Sequence, residues 1–273
     1  MRVEHWVEEG RRLVLDLDDI AEVHVRIIGG DVAVGATSGP TRLETECLAG
    51  EPIRVDLTDG VLIIEHRQDE PKTWLSFARP RFEALVDLTV PPDVPVDVKT
   101  VTAPVVTAGL AGDVDLKTVT GEVTCRYLTG SVSITTVSAQ IDVDAVSGRF
   151  NASSVSGDIN VLAGCVSDFA AKTVSGEVTV DLDIKLDGTY HISTVSGDVA
   201  ARVPDDSSLV LDATTLSGAL AAPAGLDDTS GSRRKLKGRM GAGEATMRVH
   251  TLSGDFVLLS RAAAEPQPLE LAR

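Results

Sequence analysis

Large rings are scarce in this chain. Trp, Tyr and Phe make up 3 % of its 273 residues, nine side chains in all. A sandwich packed around bulky aromatics is therefore disfavoured, and a core of Val, Leu, Ile and Ala in thin layers fits better. Cysteine is as sparse. Cys47, Cys125 and Cys165 are an odd set of three, which gives no disulfide framework and points to a reducing compartment. No run of 18 apolar residues occurs, so no membrane-spanning helix is expected. The first residues, MRVEHWVEEGRRLVLDLDD, carry charges throughout, whereas a secretory signal needs an unbroken apolar stretch. The expected location is the cytoplasm.

Positive charge is also in short supply. Lys and Arg number 25 against 41 Asp and Glu, a formal charge of -16. Most of the surface should repel nucleic acid and anionic membrane, although a local basic site stays open. Signatures of chemistry are missing too. The five histidines (His5, His24, His66, His191, His250) are scattered without metal-ligand spacing. No nucleophile elbow, phosphate loop or calcium-binding G-G-x-G-x-D run is present. Neither a catalytic constellation nor a cofactor is expected.

What the chain does have is a repeat. TVTGEV at 118–123, TVSAQI at 136–141, AVSGRF at 145–150, SVSGDI at 154–159, TVSGEV at 173–178, TVSGDV at 194–199, TLSGAL at 215–220 and TLSGDF at 251–256 are variants of one unit. Val101, Val119, Val137 and Val155 are 18 residues apart; the spacing loosens to 19 at Val174 and to 21 at Val195 and Leu216. Weaker copies at LAGDV from Leu110 and LTGSV from Leu128 sit half a period away, so two units of about nine residues make one rung.

Within a unit, residues alternate. Val174, Gly176, Val178, Val180 and Leu182 share one parity; Thr173, Ser175, Glu177, Thr179 and Asp181 share the other. Period two predicts strands, with the aliphatics inward and Thr, Ser and acids outward. On this reading Val155 is core and Asp158 is surface. The recurrent Gly permits a bend or a close backbone approach at a coil corner. No proline interrupts residues 105–203, so every ladder hydrogen bond there can be donated. A hairpin meander would show Asn-Gly or Asp-Gly loops, but Ser-Gly recurs inside the alternation instead. The fold expected is all-β: a single-chain parallel β-solenoid with about 18-residue rungs, six or so of them stacked about 4.8 Å apart.

The lead-in LTVPPDVPVDVKTVTAPV at 88–105, the recurrent T-V-S-G-[DE]-V and the closing GAGEATMRVHTLSGDFVLL at 241–259 resemble the bacterial β-strand-repeat proteins known as the putative-adhesin family, a domain of unknown function. The resemblance spans residues 20–260 and implies a right-handed, β-helix-like solenoid. It also brings a surface or adhesive role into view, which the charged N-terminus opposes.

The expected organisation has five parts. Residues 1–90 form a β-rich cap and irregular first coils, with a separate small β domain as the alternative. Residues 91–222 form the regular solenoid, 223–243 a basic Gly-rich loop, 244–260 the last rung, and 261–273 a tail. Acids follow many of the glycines (Glu122, Asp158, Glu177, Asp198, Asp255) and should stack into a solvated column with at most weak cation affinity. Cys125 shares the inward parity and reads as a small core hydrophobe.

Two stretches break the repeat and are the candidate interaction sites. One holds Trp74, Phe77, Arg79 and Arg81, with Arg67, Lys72 and Phe82 nearby, a composition typical of contact hot spots. The other is the run Arg233, Arg234, Lys235, Lys237 and Arg239, which reverses the local charge. The function expected is a non-enzymatic scaffold or interaction module with a protein partner, peripheral to the membrane through weak anionic-lipid contact. Nucleic acid is disfavoured, and the oligomeric state is not readable. A surface or adhesive protein is the alternative, and a polysaccharide-acting enzyme the second alternative.

Overall fold

The computed structural model describes residues 2–66, 82–223 and 226–263. They form 23 strands in one continuous hydrogen-bonded network, and no helix occurs among them. Most pairings are parallel, and the architecture is a β-solenoid-like repeat. The strand residues are rich in Val, Ile, Leu and Thr, which suit a pleated, half-buried surface. Their alternation sets the burial. In Val178–Leu182, Val178, Val180 and Leu182 are buried, while Thr179 is exposed.

Two ladders of strands run through the molecule. The front ladder contains Val96–Thr100, Val114–Thr118 and the C-terminal halves of Val123–Thr136, Ile141–Ser153 and Ile159–Thr173, followed by Thr189–Thr194. The back ladder contains Val105–Ala108, the N-terminal halves of the same three long strands, Val178–Leu182 and Val199–Pro204. Partners in register lie 18 residues apart at Val123↔Ile141 and Ile141↔Ile159, 19 at Ile159↔Val178 and 21 at Val178↔Val199. Each long strand bends between the ladders at a residue with positive φ: Tyr127 (54°), Ala145 (57°) and Ala163 (52°). That left-handed conformation recurs at equivalent positions and forms one corner of the coil.

The T-V-S-G motif forms the opposite corner, and here the sequence reading needs correction. Val101, Val119, Val137, Val155, Val174, Val195, Leu216 and Leu252 are 42–55 % exposed, whereas Thr100, Thr118, Thr136, Ser154, Thr173, Thr194, Thr215 and Thr251 are buried. Strict alternation fails because the bend lifts two residues out of the pleat. The hydroxyl residue turns inward, as does the position three further on at Ala103, Ala139, Gly157 and Gly176, while the aliphatic and the Ser or Thr after it face solvent. All of these buried hydroxyls except that of Thr194 find partners across the bend or between rungs. Gly157 N donates to Ser154 Oγ (2.8 Å) and Gly176 N to Thr173 Oγ1 (3.1 Å). Thr100 Oγ1 donates to Thr118 Oγ1 (2.9 Å), and Thr136 Oγ1 to Ser154 Oγ (3.0 Å). Satisfied in this way, a hydroxyl column is tolerated in the interior.

The motif glycine is demanded by close approach. A Cβ on Gly176 would stand 2.1 Å from the Gly157 carbonyl oxygen, and one on Gly197 would stand 2.1 Å from that of Gly176. Successive glycines therefore pack backbone to backbone along the axis.

The C-terminal end is not wound in chain order. Ala245–Ser253 lies between Thr189–Thr194 and Leu209–Ser217, paired parallel to both, and Phe256–Arg261 lies likewise between Val199–Pro204 and Leu220–Ala221. The segment expected as the last rung is thus inserted beneath the rung that precedes it in sequence. The segment expected as a basic loop is instead mostly a hairpin, Asp227–Ser232 with Lys235–Met240. Its second strand pairs antiparallel with Leu209–Ser217 and covers what would otherwise be an open edge. Periodicity places a repeat in a ladder but carries no information about the order in which ladder positions are filled.

Glu22–Ile27 and Gly30–Ala36 pair parallel with Val96–Thr100 and Val105–Ala108, and so extend the front and back ladders. Antiparallel strands close this end, with Thr41–Ala49 on Glu83–Val90 and Ile53–Thr58 on Val61–His66. One core cluster runs from Val7 to Leu258.

His66 belongs to this end of the core. Its Nδ1 accepts from Ile28 N (3.1 Å), its ring stands edge-on to Phe82, and burial pushes its pKa down to about 4. The unfolded imidazole protonates near 6.5. Between those values the unfolded state binds the extra proton, so stability is full above pH 6.5 and falls toward pH 4, by about 3 kcal/mol. Urea melts at pH 7 and pH 4.5 should show that loss, and His66→Asn, which keeps an acceptor, should reduce it. An unchanged pH dependence in the variant would assign the loss to other groups.

Candidate interaction surface

The solenoid turns three kinds of column toward solvent. The first is the aliphatic ladder of the T-V-S-G corner. In rung order it reads Val101, Val119, Val137, Val155, Val174, Val195, Leu252 and Leu216. Eight branched side chains at about 4.8 Å intervals make an apolar stripe some 34 Å long.

The second is the acid column that follows the motif glycine. Its carboxylates do more than face water. Asp158 Oδ1 accepts from Glu177 N (2.8 Å), Asp198 Oδ1 from Asp255 N (2.8 Å) and Asp255 Oδ1 from Ala219 N (2.7 Å). Each of these carboxylates therefore ties its rung to the next through a charge-assisted bond. The sequence suggests a solvated column with at most weak cation affinity and does not reveal these bonds, because the identity of the overlying rung is not visible in the chain.

The third is the outward face of the front ladder, where the basic run comes to rest. Lys235, Lys237 and Arg239 are exposed at alternating positions of the capping strand, and Arg233 and Arg234 occupy the hairpin turn. Lys237 Nζ pairs with Asp212 Oδ2 at 2.7 Å and holds that carboxyl below its ordinary range. Lys235 is in register with Thr214, and Lys237 with Asp212. The inserted strand adds Arg248 and His250, which lie beside Asp212 and Thr214 on one side and His191 and Ser193 on the other. The His191 and His250 rings stand 5.6 Å apart between centroids, and Thr214 Oγ1 lies 2.7 Å from His250 Nδ1. Burial, followed by His250, Lys172 and Arg248, pushes the His191 pKa down. His191, His250, Lys172 and Arg248 escaped the sequence reading. Aligning the tetrapeptides that end at each motif hydroxyl, AAKT, HIST and RVHT, would have put them in shared columns. Only the strand insertion makes the two histidines neighbours.

The other sequence-derived candidates, Trp74, Phe77, Arg79 and Arg81, lie outside the described residues. Cys125 is fully buried and burial raises its thiol pKa to about 12, so it is inert packing. Cys47 is also buried, and all three cysteines are free.

A stacked, mostly parallel coil with repeated outward columns defines the chain as a β-solenoid-like repeat protein. The family model for Toastrack DUF4097 matches residues 93–259. The chain belongs to that family, a domain of unknown function. Among solved structures, a putative adhesin from Bacteroides fragilis is 12 % identical, with 92 % of this chain and 98 % of that one covered and a TM-score of 0.47. A putative adhesin from Parabacteroides merdae is 10 % identical, covering 92 % and 95 %, with a TM-score of 0.36. A putative cell adhesion protein from Clostridium sporogenes is 10 % identical, covering 92 % and 99 %, with a TM-score of 0.28. No curated protein matches the chain.

Proposed function

We propose that the chain is a non-enzymatic interaction module, a right-handed solenoid of about 18-residue rungs whose outward columns engage a protein partner. The aliphatic ladder carries this reading. Eight side chains 42–55 % exposed in one unbroken stripe form a contiguous apolar patch, of the kind that marks interaction sites on soluble proteins. The stripe follows from a repeat that keeps Val or Leu at a solvent-facing corner. The cytoplasm is the location this reading takes; display at a cell surface is the alternative, and fractionation separates the two.

The test is a Val137→Ser, Val155→Ser, Val174→Ser triple variant. It should keep its melting temperature, because these side chains are half exposed, and should lose at least about tenfold in affinity for partners recovered by cross-linking with the wild-type chain. Undiminished capture by the folded variant would remove the ladder from the interaction.

A further inference from the structure

The front ladder carries the same columns from end to end, but their charge balance changes midway. Toward the N-terminal end, each cation has its own acid. Lys99 Nζ lies 2.8 Å from Asp97, Lys117 pairs with Asp115, and Arg54 is held by Glu4, Asp56 and Glu65. The two lysine pairs come from a D-x-K pattern that sets acid and base on one face of one strand, whereas Arg54 meets acids from three strands. Toward the C-terminal end the acid's place is taken by Ala170, His191 and Arg248 in successive strands, and the neighbouring column holds Lys172, Ser193 and His250. Asp212 returns a carboxylate, but Lys237 neutralises it. Lys172, Arg248 and Lys235 are exposed and have no ion-pair partner among the described residues. The result is an excess of positive charge on a flat sheet face of a chain whose formal charge is -16.

Next to this patch the columns become neutral and hydrogen-bonding. Ser133, Thr135, Asn151 and Ser153 occupy the two strands before Lys172. The face therefore offers fixed cations followed by a strip of hydroxyl and amide groups. Strands at about 4.8 Å spacing give the cationic part a length of about 19 Å from the Lys172 strand to the Lys235 strand.

We propose that this half of the front face binds an acidic polysaccharide laid across the rungs, with its anionic groups over Lys172, Arg248 and Lys235 and its hydroxyls toward the Ser, Thr and Asn strip. A bilayer or a nucleic-acid duplex is broader than the patch and would bring the surrounding negative charge against its own phosphates. A single narrow chain meets only the patch. Hydroxyl and amide side chains beside the cations match a ligand that carries hydroxyls between its charges. The inference rests on the interaction-module reading but uses a different face from the aliphatic ladder, and a polymer of this kind sides with the surface alternative.

His191 and His250 sit at the centre; burial and the neighbouring cations hold the His191 pKa down, and His191 gains its charge only as pH falls. The charged groups facing His191 are Lys172, Arg248 and His250. Those around His250 are Arg248 on its own strand, Lys235 on the capping strand and Asp212, whose carboxyl senses the imidazole. A bound anion offsets the repulsion among the cations, so binding should strengthen under mild acid.

The experiment uses the full chain with heparin oligosaccharides, whose sulfates stay ionised across the range, at low ionic strength of about 20 mM, where screening is weak. The wild type should bind. A Lys172→Gln, Arg248→Gln, Lys235→Gln variant should lose about tenfold or more with its melting temperature unchanged. Lys99→Gln, Lys117→Gln, which alters the paired cations, should bind as the wild type does. Affinity should rise toward pH 5.5 as the bound anion favours protonated His191, and His191→Gln should flatten that rise. Equal binding by the folded triple variant overturns the proposal. So does binding of single-stranded DNA or anionic vesicles as tight as that of the oligosaccharide, since charge alone would then explain the result. The Val→Ser ladder variant should still bind heparin, so failure of one reading leaves the other standing.

Discussion

Ile159→Asp should unfold or aggregate the protein, and Val155→Asp, four residues earlier in the same repeat, should leave it folded. Ile159 is fully buried where the back ladder begins; Val155 is 46 % exposed at the corner. A carboxylate at 159 would face apolar neighbours with no cation among them, at a cost of several kcal/mol against a total stability of the same order. At 155 it would stay hydrated and add one more charge to an already acidic surface, an effect of about 0.5 kcal/mol. Chemical denaturation of both variants decides the matter. Equal, large losses would return the motif valine to the interior, and equal, small losses would contradict the burial of Ile159.

Removal of residues 226–240 should leave a chain that aggregates or melts far below the wild type. The sequence presents this stretch as a dispensable connection between two repeats, whose length would cost little. The structure makes it a cap. Leu209–Ser217 loses the partner that satisfies its outer edge, from Leu209↔Met240 to Thr214↔Lys235. Leu226 and Met240, now 8 % and 3 % exposed, leave the core with it. Two such side chains contribute about 1.5–3 kcal/mol each, and the uncovered edge becomes a template for pairing with other chains. Size-exclusion chromatography and thermal melts of the deletion variant test this. A monomer with an unchanged melting temperature would show that the hairpin does not protect the edge. The cationic face cannot be probed by this deletion, which is why the charge-neutral substitutions are the sharper tool there.

The chain's regularity made much of the architecture readable. Spacing of 18 residues between Val101, Val119, Val137 and Val155 gave the stacking period that appears in the register Val123↔Ile141↔Ile159. Alternation in Val178–Leu182 gave its buried face. The same rule misled at the corner, because period-two logic holds only while the backbone stays pleated. Two residues of bend shift the phase, so a valine that looked inward is exposed and a threonine that looked outward is buried beneath it. The candidate surface was half legible. The run from Arg233 to Arg239 is visible as a charge reversal, whereas its companions Lys172, His191, Arg248 and His250 are single residues scattered over 79 positions of the chain.

By itself the sequence determined the strand class, the repeat spacing, the aliphatic core away from the corner and the family, since each follows from residue type and spacing along one chain. Tertiary structure alone decided which strand stacks on which. Ala245–Ser253 could have followed Leu209–Ser217 as the next rung but enters between that strand and Thr189–Thr194. All these repeats present nearly the same apolar and hydrogen-bonding edge, so local pattern scarcely distinguishes one neighbour from another. The hairpin strand occupies one edge of Leu209–Ser217 and the returning strand the other. That placement sets His250 beside His191 and gathers the unpaired cations onto one face.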